Sequence, residues 1–502
     1  MNRNGYRAVT LTLLTAGALL VPPLTARPPM ALGAQVPAAP ARPVSQKLQS
    51  CRVPNLDEDV LCGQLEVFEN RDAATGRKIS LKIVVLPAKG SPVEPDALTF
   101  LAGGGVVPAT RYAPQAARWF KTLREHRDIL LVDQRGTGGS NRLGCTIPDE
   151  IELAAHREPE PYLAALRKCR ADLETRADLR CYNTPMAVGD LDEVRAWFGY
   201  ARLNLYGTSY GTSVAQAYLR KHPDRVRTIA LHGPMPLDLP MWQDIPVSAQ
   251  RALDHLFEEC GTQPACAGAF PGVREEFAAV LTRLRASPES VTVEGPGGAT
   301  KAVIDDQIIR GLVYGALYSA RSMGDIPLLI HSASTGDYIP IGEIMTERPP
   351  EDAGAPKGVF LSILCSESIP LVDPAAAGRA AESTFLGRWA VDKPVRECSQ
   401  WVRARLPNAY REPVRSAVPA LVLVGALDHT TPVRYAEHIA QGLTRSRLIV
   451  LPSRGHNDVD PCVTGLIEGF VISGRIDGLD ASCAANSRPL TFRTSFPRPP
   501  GR

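Results

Sequence analysis

No block of basic residues occurs in this chain: 56 Lys+Arg face 53 Asp+Glu across 502 residues, a net charge of +3. Charge spread this evenly leaves no electrostatic footprint for nucleic acid. The CxxC…CxxC and Cys/His spacings of structural zinc are also missing. No apolar run reaches the roughly 20 residues that span a bilayer as a helix. No repeat with a period of about 20–50 residues is present, which excludes solenoids and propellers. A hydrophobic content of 44% with 22% charged residues excludes wholesale disorder and coiled coil. The length suits one large domain with an insertion, or two to three domains. What remains is a globular α/β or α+β chain.

Residues 1–34 hold Arg3 and Arg7, then the apolar run Ala8–Leu20, then a Pro/Ala-rich stretch. These are the parts of a secretory signal peptide, and the run is too short for a membrane anchor. Ala26 and Ala34 are both plausible cut sites. Residues 35–50 read as a Pro/Ala-rich lead-in. The segment 1–34 carries Arg3, Arg7 and Arg27 and no acid, so removal after Ala34 leaves a neutral mature chain. Export to an oxidising compartment, secreted or periplasmic, predicts paired cysteines. Proximity suggests Cys51–Cys62, Cys260–Cys266, Cys365–Cys398 and Cys462–Cys483, with Cys145, Cys169 and Cys181 left over.

From Cys62 the chain reads as strands: LEVFE, KISLKIVVLPA, ALTFLAGG and DILLVDQRG. Helical spacing then alternates with strands through DLDEVRAWFG, LNLYG, SVAQAYLRKH and RTIALHG. This rhythm predicts a mostly parallel sheet with crossover helices. It returns only at PALVLVG (419–425) and RLIVLP (447–452). Between these, residues 236–415 show helical segments at Ala249–Glu259, Val273–Arg285 and Asp306–Ser319, with little strand alternation. The expectation is a core at 51–235 and 416–502, split by a mainly helical cap or lid at 236–415.

The motif Gly207-Thr208-Ser209-Tyr210-Gly211 lies between the strand Leu203–Tyr206 and a helix starting near Thr212. A GxSxG in that setting is a nucleophile elbow: the turn presents the serine hydroxyl, and the helix start offers the Tyr210 N–H to an oxyanion. A serine needs a base and an orienting acid, here expected in the order Ser, acid, His. Asp428 directly follows the strand ALVLVG, and Thr430, Thr431 and Pro432 then open a helix. His456 follows the next strand in the loop SRGHND. Among nine histidines, topology selects His456. His429 would point away from the acid, His222 and His438 lie in helices, and His232 precedes the cap. Asp458 and Asp460 are rival acids in the same loop as His456. The loop Gly103-Gly104-Gly105 after an early strand supplies the second oxyanion donor, with Gly104 favoured. A phosphate-binding reading of that loop fails, because no G-K-[ST] follows.

Several segments together resemble the proline iminopeptidase and tripeptidyl aminopeptidase group of α/β-hydrolases. They are LAGGG (101–105), DQRGTGGSN (133–141), DLDEVRAWFGY (190–200), LNLYGTSYGTSVAQAYLRKHPDRVRTIALHG (203–233), GALDHTTPVRYAEHIAQGL (425–443) and SRLIVLPSRGH (446–456). The resemblance spans about residues 51–485. It implies an α/β-hydrolase fold with helices on both sheet faces, an inserted helical cap, and a triad of Ser209, Asp428 and His456. It also implies oxyanion donors at Gly104 and Tyr210, a buried and paired Arg135, and no cofactor or metal. Cap carboxylates would hold the substrate's free amino group, with Glu367, Glu258 and Glu259 as candidates. One departure is plain: the family loop reads Gly-Gly-Pro-Gly, whereas Gly105 and Val106 occupy the last two positions here. The expected activity is removal of residues or short peptides from peptide N-termini. Hydrolysis of small esters or amides is the alternative, and a catalytically silent binding protein the remoter one. Expected partners are the substrate alone, with no nucleic acid and no membrane after signal cleavage.

Overall fold

The computed structural model describes residues 48–496 except 105, 296–297, 347–355, 457 and 487. The expected signal segment 1–34 and nearly all of the lead-in lie outside the described residues, as does Gly105. Among the described residues eleven strands form. In chain order they are β1 (Gln49–Cys51), β2 (Val60–Phe68), β3 (Lys78–Leu86), β4 (Ala97–Leu101), β5 (Ile129–Val132) and β6 (Leu203–Thr208). They continue as β7 (Val226–His232), β8 (Glu289–Gly295), β9 (Gly298–Ile304), β10 (Ala420–Gly425) and β11 (Ser446–Leu451).

Nine of them build one sheet in the order β1-β2-β3-β5-β4-β6-β7-β10-β11. Strands β1, β2 and β3 join antiparallel at one edge, and β3 meets β5 antiparallel. From β5 to β11 every pairing is parallel. The sequence predicts this half, because strands covered on both faces read as continuous apolar runs. Every residue of β10 is buried. Two large apolar clusters lie on opposite faces of the sheet, one containing Leu205 and Val422, the other Tyr206 and Leu423. Adjacent residues of one strand thus feed separate cores, as the two-residue side-chain period requires.

The crossover helices carry their own signals. Helix Thr184–Phe198 starts where the Asn183 side chain accepts from the Met186 N–H, with proline in its first turn. It stops at Gly199, whose φ of 75° is the left-handed end that glycine favours. Arg135 is fully buried beneath this helix. Its guanidinium donates to both carboxylate oxygens of Asp190 at 2.6 and 2.7 Å and to the carbonyls of Glu69 and Cys181.

Between β7 and β10 the chain is mainly helical, with long helices at Met241–Thr262 and Val273–Ala286. One feature departs from the sequence reading: β8 and β9 pair as an antiparallel hairpin. Helix Ile339–Thr346 packs closely on it, since a Cβ at Gly342 would lie 2.8 Å from both Val291 and Val293. Five disulfides close local loops. They are the four expected pairs and Cys145–Cys169, which leaves Cys181 free and buried. Among the described residues no single helix is long and apolar enough to cross a membrane.

Candidate active site

Ser209 stands between β6 and helix Tyr210–Lys221 with φ 51° and ψ −123°. A non-glycine residue held in such a conformation costs about 1–3 kcal/mol and persists only where its surroundings over-determine it. Here they do. The Ser209 N–H donates to the His232 carbonyl at 2.9 Å, tying the elbow to β7. The loop after β4 lies against it, and the Gly103 N–H donates to Thr208 Oγ1 at 3.1 Å. A Cβ at Gly103 would come within 2.7 Å of the Ser209 Cβ, and one at Gly211 within 2.0 Å of the Leu101 carbonyl oxygen. Only glycine permits either approach.

Asp428 and His456 arrive from the carboxyl ends of β10 and β11. His456 Nδ1 and Asp428 Oδ2 are 2.8 Å apart, and both residues are buried. The Thr430 and Thr431 N–H groups donate to Asp428 Oδ1 at 3.0 and 2.7 Å, and the Thr431 hydroxyl donates to Oδ2 at 2.7 Å. Burial alone would raise the Asp428 carboxyl. The charge and hydrogen bond of His456 and the Thr431 amide outweigh it, so the carboxyl sits below its ordinary value. With Nδ1 committed to Asp428, Nε2 is the ring nitrogen left for proton transfer. The Tyr318 ring meets His456 edge-on at 5.5 Å and supports its other side.

The competing groups are used elsewhere. His429 lies between the rings of Tyr314 and Tyr318, both at 4.6 Å, and burial pushes it down to about 3. His232 is pushed down to about 4 by burial and by the proximity of His456. His438 pairs with Asp238 at 2.7 Å. Asp458 accepts the Gly455 and Ala320 N–H groups, and Asp460 caps helix Pro461–Ser473.

A cavity of ≈ 420 Å³ joins these parts: Ser209, His456, Gly104, Tyr210 and Glu367 all line it. Val106 lines it too and adopts φ 85°, at the position where the loop departs from the family pattern. Glu367 lies on a π-helical turn, Leu364–Ser368, next to the Cys365–Cys398 disulfide. It is buried and takes three donors: the Thr184 N–H at 2.6 Å, the Thr184 hydroxyl at 2.8 Å and the Tyr410 hydroxyl. Burial holds its carboxyl above the ordinary value despite these bonds. The Tyr210 hydroxyl meets Thr184 Oγ1 at 2.8 Å, linking the elbow to the same network. Glu258 and Glu259 do not join it. Glu258 is exposed beside His255, and Glu259 accepts the Leu490 N–H at 2.8 Å, away from the cavity. Helical phase explains this: on Met241–Thr262 the buried face carries Leu253, Leu256, Phe257 and Cys260, which leaves Glu258 exposed and Glu259 half-buried against Leu490 and Ser453. Sequence reasoning does not reach Thr184, Tyr410, Tyr314 or Tyr318, because nothing local marks them. Among the described residues no group of three or more His, Cys, Asp or Glu could hold a metal ion.

The family described as "alpha/beta hydrolase fold" matches residues 102–276, and that described as "TAP-like protein" matches 383–483. The chain has the α/β-hydrolase fold. Its homologues are named as peptidases, and it is an enzyme of the serine hydrolase class. A tripeptidyl aminopeptidase of Streptomyces lividans is 24% identical, the match covering 91% of this hydrolase and 90% of the relative. Serine protease Hip1 of Mycobacterium tuberculosis is 23% identical over 84% of this hydrolase and 87% of the relative. A proline iminopeptidase of Neisseria gonorrhoeae is 26% identical over 27% of this hydrolase and 31% of the relative.

Proposed function

We propose that this hydrolase is an exported aminopeptidase that works through an acyl-enzyme. The observation that carries the reading is one cavity lined by Ser209, His456 and a buried carboxylate, Glu367. His456, held by Asp428, takes the Ser209 hydroxyl proton as Oγ attacks the peptide carbonyl. The Gly104 and Tyr210 N–H groups hold the oxyanion, the second at a helix start that favours negative charge. The C–N bond breaks, His456 returns the proton to the leaving amine, and water then attacks the acyl-serine with His456 again as base. Glu367 takes the substrate ammonium, because a cation in a largely dry cavity needs a charged, hydrogen-bonding partner. The mainly helical segment 236–415 is the cap that closes this cavity. The signal-like segment 1–34 and the five disulfides support export to an oxidising compartment.

One observation favours the second reading, hydrolysis of small esters or amides. Glu367 already has three internal donors and a raised carboxyl, and when protonated it has no charge to offer an ammonium. The test is to assay the mature protein on free-amine peptide anilides, their N-blocked forms, and short-chain nitrophenyl esters. The aminopeptidase reading expects a preference of at least tenfold in kcat/KM for the free amine. Equal rates on blocked peptides, or ester turnover with no peptide turnover, would overturn it. Full activity in Ser209→Ala would overturn the elbow assignment.

A further inference from the structure

A second cavity, of ≈ 620 Å³, adjoins the first. The two share five walls: Trp242, Ile245, Tyr314, Phe360 and Leu364 line both. We propose that this outer cavity is the leaving-side chamber, which receives an apolar segment of peptide chain on the carboxyl side of the scissile bond. The inference rests on the aminopeptidase reading and extends it.

Direction comes from the shared wall. Tyr314 comes within 3.5 Å of Thr430 Oγ1, beside Asp428, and Tyr318 from the same stretch packs on His456. At its Tyr314 end the wall shared with the outer cavity thus reaches the side of the site that holds Asp428 and His456, the base proposed to protonate the departing amine. Glu367 instead belongs to the Tyr210, Thr184 and Tyr410 network of the inner cavity. A substrate anchored by its ammonium at Glu367, with its carbonyl at Ser209, has its onward chain directed past His456 into the outer cavity.

Chemistry comes from the lining. Trp389, Leu153, Leu312 and Leu386 give it broad apolar surface. Its charged and polar groups already have partners. Lys393 pairs with Glu397 at 2.8 Å, Arg310 with Asp306 at 3.0 Å, and His156 with Asp305 at 2.9 Å. A chamber with its charges neutralised internally holds neutral, apolar side chains best, since an incoming charge would lose water and find no free partner.

Gly311 gives a clean probe. It lines only the outer cavity, and a Cβ there would meet no heavy atom within 4 Å. Gly311→Phe therefore starts its added bulk at the chamber from a Cβ that meets no neighbour. Leu153→Trp is an independent second variant at another outer-cavity residue, one that is 48% exposed. The substrates share one free-amine N-terminal segment and differ after the cut: a small anilide, or an apolar peptide extension of two to five residues. The expected result is at least a tenfold fall, in both variants, of the ratio of kcat/KM for extended over anilide substrate. A charged extension is expected to be the poorer substrate of the wild-type enzyme. An unchanged ratio in two variants of normal thermal midpoint would overturn the chamber while leaving the aminopeptidase reading intact. A wild-type enzyme that cleaves no free-amine anilide would remove the reading beneath it, and the chamber with it.

Discussion

Thr184 and Glu367 are joined twice: the Thr184 N–H donates to one carboxylate oxygen and its hydroxyl to the other, at 2.6 and 2.8 Å. Both bonds favour the ionised form and oppose the desolvation that raises this carboxyl. Thr184→Val removes the hydroxyl donor and keeps the N–H. The Glu367 carboxyl then rises further, so the acidic limb of the kcat/KM profile moves to higher pH. Free-amine peptides should lose about 10–150-fold in kcat/KM, as expected for one lost bond to a charged group, while nitrophenyl esters lose little. Equal losses on both substrates would mean that Glu367 holds no ammonium.

Thr431 holds Asp428, the acid of the proposed mechanism. Its hydroxyl donates to Asp428 Oδ2 at 2.7 Å, and its oxygen lies 3.1 Å from His456 Nδ1. Thr431→Val leaves the backbone donor to Oδ1 in place. A lost bond of about 1–2 kcal/mol predicts a kcat some tenfold lower with KM near wild type. Thr431→Ser, which keeps the hydroxyl, should restore most of the rate. A KM effect alone would contradict the positioning role.

Val106 is a β-branched residue at φ 85° and is 2% exposed. Val106→Gly relieves about 1–2 kcal/mol of backbone strain. It also loses about 1.5–3 kcal/mol of burial and frees the unfolded chain. The opposing effects predict a small net destabilisation, read as a thermal midpoint within a few degrees of wild type. The cavity wall retreats beside Ser209, so substrates with bulkier acyl groups should gain relative to small ones. A large loss of stability would mean that the Val106 side chain, not the loop path, dominates at this position.

Cys181 is the one cysteine outside the five disulfides, and burial pushes its thiol up to about 12. A thiol reagent at neutral pH should therefore report no reactive group in the native protein and one per chain after unfolding without reductant. Three would mean that one of the five bridges is not formed.

The parallel half of the sheet is legible because its strands are apolar on both faces and end in turn residues. The elbow is legible because glycine spacing, strand and helix coincide within one stretch of about ten residues. Asp428 and His456 are picked out from equally plausible neighbours only by chain order at strand ends. The hairpin of β8 and β9 goes unread, although SVTVE alternates, because helical segments surround it and its packing partner is the distant helix Ile339–Thr346. Among Glu367, Glu258 and Glu259, local sequence draws no distinction. Only contacts with Thr184 and Tyr410, from separate parts of the chain, bring one of them into the cavity. The partner of Cys145 is similarly a matter of where helix Pro159–Glu174 docks.

The register of β7 with β10 pairs Ile229 with Ala420, so the sheet closes across a gap of about 190 residues. During biosynthesis the elbow is therefore complete long before its acid and base exist. A nascent chain ending anywhere in 236–415 would carry Ser209 without Asp428 and His456, the acid and base proposed for it. Four of the five short-range disulfides lie wholly before β10 and do not depend on the strands that bring Asp428 and His456; only Cys462–Cys483 follows them. On the function proposed above, a chain cut short before β10 would be inert however well its first half folded.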